Sequence, residues 1–141
     1  MSIDMICFKE FINTKDRFAA ANGMAVVEVR PGFARSSFTV EERHLNGVNI
    51  VQGGALFTLA DLAFAAASNA HGQVAVGLNA SIAFFKPGLM GDLLTAEAKE
   101  VSLTARSAYY TVEIKNNNSV LIAQFQGIAY RKKEIEIIPK V

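Results

Sequence analysis

Tryptophan is missing from this 141-residue chain, cysteine appears once, histidine twice and proline three times. The lone Cys7 excludes an internal disulfide and fits a reducing compartment, so the expected location is cytoplasmic. His44, His71 and Cys7 stand at no ligand spacing, and no metal site is expected. A formal net charge of +1 gives no basic footprint for nucleic acid. Asp4, Lys9 and Glu10 fall where a signal peptide would be apolar, which argues against an export signal. Gln52, Asp61, Ser68 and Asn69 interrupt the greasiest stretch, about residues 50–70, so a membrane span is not expected. What is plentiful is hydrophobic side chain, 51% of residues against 19% charged, enough for a single domain over 1–141 with a sizeable core.

The central feature runs from Gln52 to Asn69. Between Gly53 and Ala67 nearly every residue is small or apolar, and Asp61 is the only charge. Ala, Leu and Phe without proline or a β-branched run predict a helix, placed at 52–71, and apolar character all round predicts its burial. An ionised carboxylate in a dry core is costly, so Asp61 calls for a partner, a water-filled cavity or a subunit interface. At the helix start, Gly53 and Gly54 leave backbone N–H groups open to close approach. With the helix dipole behind them they suit negative charge, fixed or developing on a reacting oxygen. Gly53 and Asp61 are separated by about 12 Å of helix rise and roughly 80° of rotation, too far to serve one reacting carbon. Two antiparallel copies would bring Asp61 of one chain near Gly53 of the other, which suggests a site shared across a two-fold interface.

Around this helix the pattern alternates. Residues 1–22 read as an N-terminal helix with Ile3, Ile6, Phe8, Phe11, Ile12 and Phe18 among charges, stopped at Asn22-Gly23. From Met24 the period is two, with a turn at Pro31-Gly32 and a second strand through Phe38 and Val40. Glu41 to Val51 is a polar connection. His71-Gly72 closes the central helix, and Val74, Val76, Leu78, Ala80, Ile82 and Phe84 then alternate strictly with small or polar residues, a strand with one apolar face. Lys86-Pro87-Gly88 breaks it. Strands follow at about 92–104, 107–115 and, beyond the turn Asn116-Asn117-Asn118 with its tolerance of left-handed backbone, 119–131; 133–141 is a tail. Short turns predict antiparallel pairing, and the buried helix belongs on the concave face of a curved sheet of five to six strands, an α+β fold.

Asn46-x5-Gln52-Gly53-Gly54-x6-Asp61, followed by Ala63-Phe64-Ala65 and Asn69, resembles the hotdog-fold acyl-CoA thioesterases of the phenylacetate-pathway (PaaI-like) type. Phe84-x-Lys86-Pro87-Gly88-x2-Gly91-Asp92-x-Leu94-x-Ala96 fits their strand-turn-strand, and the likeness covers roughly residues 20–131. The resemblance implies a long helix wrapped by the sheet, a homodimer joined edge to edge and often a homotetramer. It implies acyl-CoA as substrate, coenzyme A being part of that substrate and no separate cofactor being needed. It also implies that Asp61 is the catalytic carboxylate, nucleophile or general base. The Gly53 N–H of the facing subunit would polarise the thioester carbonyl, and Asn46 would help hold the substrate or the attacking water. Two departures stand out. Gln52 replaces the family's usual histidine, keeping hydrogen bonding but losing any protonation role. Gly77 falls near where some relatives carry a hydroxyl residue.

The remaining candidates have plainer readings beside the functional ones. Asn46 also suits a turn or cap, and Thr58, one turn before Asp61, suits either the carboxylate or a backbone bond within the helix. Asn69 either joins the Asp61 face with Ser68 or ends the helix. Lys86 and Arg131-Lys132-Lys133 either meet coenzyme A phosphates or are simply solvated. Gln52 and Gly54 are placed with the substrate, and His44 and His71 at the surface or at caps. Two rival functions on the same fold are a non-catalytic acyl-thioester binding or regulatory module and an acyl-thioester hydratase or dehydratase. The second generally needs a catalytic histidine with an acid, which the start of the central helix lacks.

Overall fold

The computed structural model describes residues 3–136. Two short helices, α1 (Met5–Lys15) and α2 (Arg17–Ala21), lead into β1 (Ala25–Arg30) and β2 (Phe33–Thr39). A single 3-10 turn at Glu42–His44 precedes the central helix α3 (Gly53–Asn69). Strands β3 (Gln73–Phe84), β4 (Leu93–Leu103), β5 (Ser107–Lys115) and β6 (Leu121–Glu136) complete the chain. All pairs are antiparallel, in the order β1-β2-β4-β5-β6-β3. Among the described residues no helix is long and apolar enough to cross a membrane.

Helix α3 lies across the sheet with Leu56, Leu59, Leu62 and Phe64 buried. Burial of each such side chain contributes about 1.5–3 kcal/mol. Facing alanines (Ala34, Ala96, Ala98, Ala123, Ala129) let the helix approach closely, and the buried Ser36 hydroxyl donates to the Leu59 carbonyl at 2.8 Å. Phe64 fits between Tyr110 and Phe125, with ring centroids 5.6 and 5.7 Å away. Glycine leaves it room: a Cβ on Gly127 would stand 3.0 Å from the Phe64 ring, and one on Gly77 3.4 Å. The side chain absent at Gly77 is thus space that Phe64 borders.

Several expectations need correction. The N-terminal helix is two helices, because the Asp16 side chain accepts the Ala19 N–H at 3.0 Å and restarts the chain as α2. Strand β3 pairs with β6, not with β4, because residues 85–92 carry the chain from the sheet edge back beside β2. Its alternation is not strict: a bulge between Gly77 and Asn79 inverts the strand. Ala75 is buried before it, and Ile82 and Phe84 turn to the same face after it, paired with the buried Phe125 and Ala123. Val76 and Leu78 are exposed on the other face, and Phe84, at the strand end, is itself 55% exposed. The left-handed residue near the asparagine turn is Ser119, at φ 60°. Strand β6 continues to Glu136, through the start of the expected tail, and 137–141 lie outside the described residues.

The two sheet edges differ. Edge β1 is covered by α1, where the Asn13 amide donates to the Val26 carbonyl at 2.9 Å and accepts the Val26 N–H at 2.8 Å. Edge β3 runs 12 residues without a charge or a proline. Proteins rarely leave such an edge open to solvent.

Candidate active site

The tip of α3 is organised by Gln52. As N-cap, its side-chain carbonyl accepts the Gly54 N–H at 2.6 Å, and its backbone carbonyl accepts those of Ala55 and Leu56 at 2.9 and 3.4 Å. Its own N–H donates to the His44 carbonyl at 2.8 Å. Of the first four helical N–H groups, only that of Gly53 has no acceptor among the described residues. Both glycines are set by their neighbours. A Cβ on Gly54 would lie 2.5 Å from the Gln52 side-chain oxygen, and one on Gly53 3.0 Å from the Phe84 ring.

Asn46 sits in the preceding turn. Its side-chain oxygen accepts the N–H groups of Val48 and Ile50 at 3.0 and 3.3 Å, which fixes the amide orientation. Its Nδ2 has no acceptor among the described residues and is free to donate. Asn46, Gly53 and Lys86 line one cavity of about 600 Å³, walled by Ile50, Val51, Leu56 and Phe84. Gln52, Gly54 and Thr58 line a second, of about 370 Å³, beside Phe18 and Met24. The helix tip therefore separates the sequence candidates into two pockets.

Asp61 lines neither pocket. Expected to be buried, it lies on the one solvent-facing stripe of α3, with Gly54, Thr58 and Ala65. The helix is apolar on every side in composition but covered only where the sheet wraps it. Among the described residues Asp61 has no ion pair. Loss of water to the surrounding protein pushes its carboxyl above the ordinary carboxylate range, and the Asp16 carboxylate adds to the push. Asp16 went unnoticed in the sequence, where its signal was a capping residue inside an apparently continuous helix.

Other candidates are committed elsewhere. The Thr58 hydroxyl donates to the Gly54 carbonyl at 2.8 Å, the backbone reading rather than the carboxylate one. Asn69 is buried, with its amide spent on Ala65 O at 2.9 Å, Ala75 O at 3.1 Å and Ala75 N–H at 2.8 Å. It ties the end of α3 to β3 and offers nothing to a ligand. Arg131 donates to the Thr104 carbonyl at 2.7 Å, whereas Lys86 is exposed.

Both histidines are also occupied. His44 is buried rather than at the surface, and it caps the 3-10 turn. Its Nδ1 accepts the Glu41 N–H at 2.9 Å, so Nε2 carries the proton and donates to the Asn22 carbonyl at 2.8 Å. His71 Nε2 meets Glu100 at 2.7 Å, and the buried Tyr110 hydroxyl donates to the same oxygen at 3.0 Å. Burial and the Glu100 bond push the Tyr110 hydroxyl far above its usual value.

The family model described as thioesterase superfamily matches residues 48–123, which include the helix tip and Asp61. The acyl-coenzyme A thioesterase PaaI of Escherichia coli is 39% identical over 116 residues, covering 82% of this chain and 83% of that protein. The structure of the E. coli PaaI protein from the phenylacetic acid degradation operon superposes with a TM-score of 0.87 and 35% identity, over 91% of this chain and 93% of that one. The TT0310 protein of Thermus thermophilus is similar at 39% identity and a TM-score of 0.80, over 84% and 99% of the respective chains.

Proposed function

This chain belongs to the thioesterase superfamily, and from that premise we propose that it hydrolyses acyl-CoA thioesters to the free acid and coenzyme A at a site shared by two protomers. The observation that carries the reading is the unsatisfied Gly53 N–H at the tip of α3, beside the free amide of Asn46. A thioester carbonyl placed there meets a donor that needs no reorganisation as the oxyanion forms. Loss of such a donor typically costs about 2.7–4 kcal/mol of barrier.

In the proposed mechanism, Asp61 of the facing protomer takes a proton from the attacking water, or attacks the carbonyl carbon itself to form an anhydride that water then cleaves to the free acid and the regenerated carboxylate. The carbon–sulfur bond breaks, and the thiolate of coenzyme A leaves and is protonated. Three features support the two-protomer arrangement. Gly53 and Asp61 are two turns apart on one continuous helix, Asp61 has no ion pair of its own among the described residues, and the uncharged β3 edge stands open where β1 is blocked. Lys86, solvated at the pocket rim, is available to a coenzyme A phosphate. A hydratase reading is disfavoured because His44 has both ring nitrogens engaged and His71 lies beyond the far end of α3, about 25 Å from its tip.

Thiol release from a panel of acyl-CoAs tests the proposal. Turnover by the wild type and its loss in Asp61→Asn are expected; binding without thiol release by the wild type would reject hydrolysis.

A further inference from the structure

Resting on that reading, we propose that Phe84 is a specificity-determining residue, and that the 600 Å³ cavity it walls holds the acyl group rather than the pantetheine arm of the substrate. Phe84 reaches this place because of the bulge between Gly77 and Asn79. An uninterrupted strand would present Phe84 on the same face as Val76, whereas the inverted strand turns it toward the helix tip, where one side of its ring meets Gly53 and the rest, 55% exposed, faces the open cavity. There its ring lies where a Cβ on Gly53 would be only 3.0 Å away, so it borders the residue whose N–H is free.

The chemistry of the lining selects the occupant. Ile50, Val51, Leu56 and Phe84 form the walls, and Asn46 and Lys86 supply the only polar side chains. Two amides and a hydroxyl of a pantetheine arm would be left short of partners here, at a cost for each unpaired group. A hydrocarbon chain or ring loses nothing and gains burial. With the carbonyl at Gly53 and Asn46, the acyl group extends along the Phe84 wall. The bulge therefore sets the size limit on the acid released.

The test measures kcat/KM for a series of acyl-CoAs of increasing acyl size, and for the matching N-acetylcysteamine thioesters, with Phe84→Ala, Phe84→Leu and Phe18→Ala, the last altering the other pocket. Phe84→Ala is expected to shift the ratio of large to small acyl groups by at least about tenfold, since one methylene in an apolar pocket is worth about that much. Phe84→Leu should fall between, and Phe18→Ala should keep the wild-type order. An equal loss for every acyl group overturns the proposal, as does a change only between coenzyme A and N-acetylcysteamine thioesters, or a change of order in Phe18→Ala alone. If Phe84→Ala does not fold, Phe84→Leu decides by the same criteria. Wild type that hydrolyses nothing defeats the hydrolase reading itself, whereas active wild type with unaltered variants defeats only this assignment.

Discussion

Asn69→Ala separates a structural strut from a substrate contact. The substitution removes three hydrogen bonds, at 2.8, 2.9 and 3.1 Å, from a side chain only 6% exposed. Each contributes about 0.5–1.5 kcal/mol, and the Ala75 N–H and carbonyl are left without the partners that tied β3 to the end of α3. The expected loss is about 2–4 kcal/mol. For a chain of this length that is roughly 8–15 °C in Tm. Thermal unfolding followed by circular dichroism, at one fixed protein concentration, gives the shift; steady-state kinetics well below both midpoints gives the rest. KM and kcat should stay within about twofold of wild type, because the amide faces the protein interior. An unchanged Tm with a tenfold rise in KM would refute the reasoning and return Asn69 to the substrate.

Four further outcomes follow from the same geometry. Asp61→Asn should melt higher than wild type at pH 7. A carboxyl whose pKa is raised on folding favours the folded state only while protonated, so its charge detracts from stability as pH rises through the carboxylate range; the gap should close below about pH 4, and a lower-melting variant would contradict it. The acid limb of kcat/KM should lie above the ordinary carboxylate range, and Asp16→Asn, which keeps a capping side chain, should move it downward in a pH–rate series. Asn46→Ala should lower kcat/KM at least tenfold, read in the thiol-release assay, if its free amide contacts substrate or water. Val76→Lys with Leu78→Lys should reduce the assembly to monomers in sedimentation and remove activity, since both side chains lie exposed on the open-edge strand.

The α+β fold was legible because period-two stretches hold where a strand has one covered face. Leu94, Ala96 and Ala98 on β4, and Tyr110, Val112 and Ile114 on β5, are buried as their alternation indicates. Strand β3 misled for a local reason: one bulged residue reverses every later side chain, and composition carries no mark of it. The polar content of the helix tip was legible as glycines before an apolar run. Its division into two pockets was not, because that depends on Gln52 folding back onto Gly54. Asp61 looked buried because composition describes the helix, whereas exposure depends on which stripe the sheet leaves uncovered. For Asn69 the sequence left a substrate contact and a helix-ending role both open, and only the path of β3 reveals its three backbone bonds.

The shared site is tested most directly by mixing two inactive variants. Gly53→Pro deletes the N–H at a first helical position whose backbone suits proline, with the Phe84 ring of that protomer displaced to admit it, and Asp61→Asn deletes the carboxylate. In a mixed dimer of two-fold symmetry, one site combines the intact Gly53 of one protomer with the intact Asp61 of the other. Random mixing should then restore about a quarter of wild-type turnover. Mixed dimers verified by mass that remain as inactive as either parent would contradict a site built from two chains.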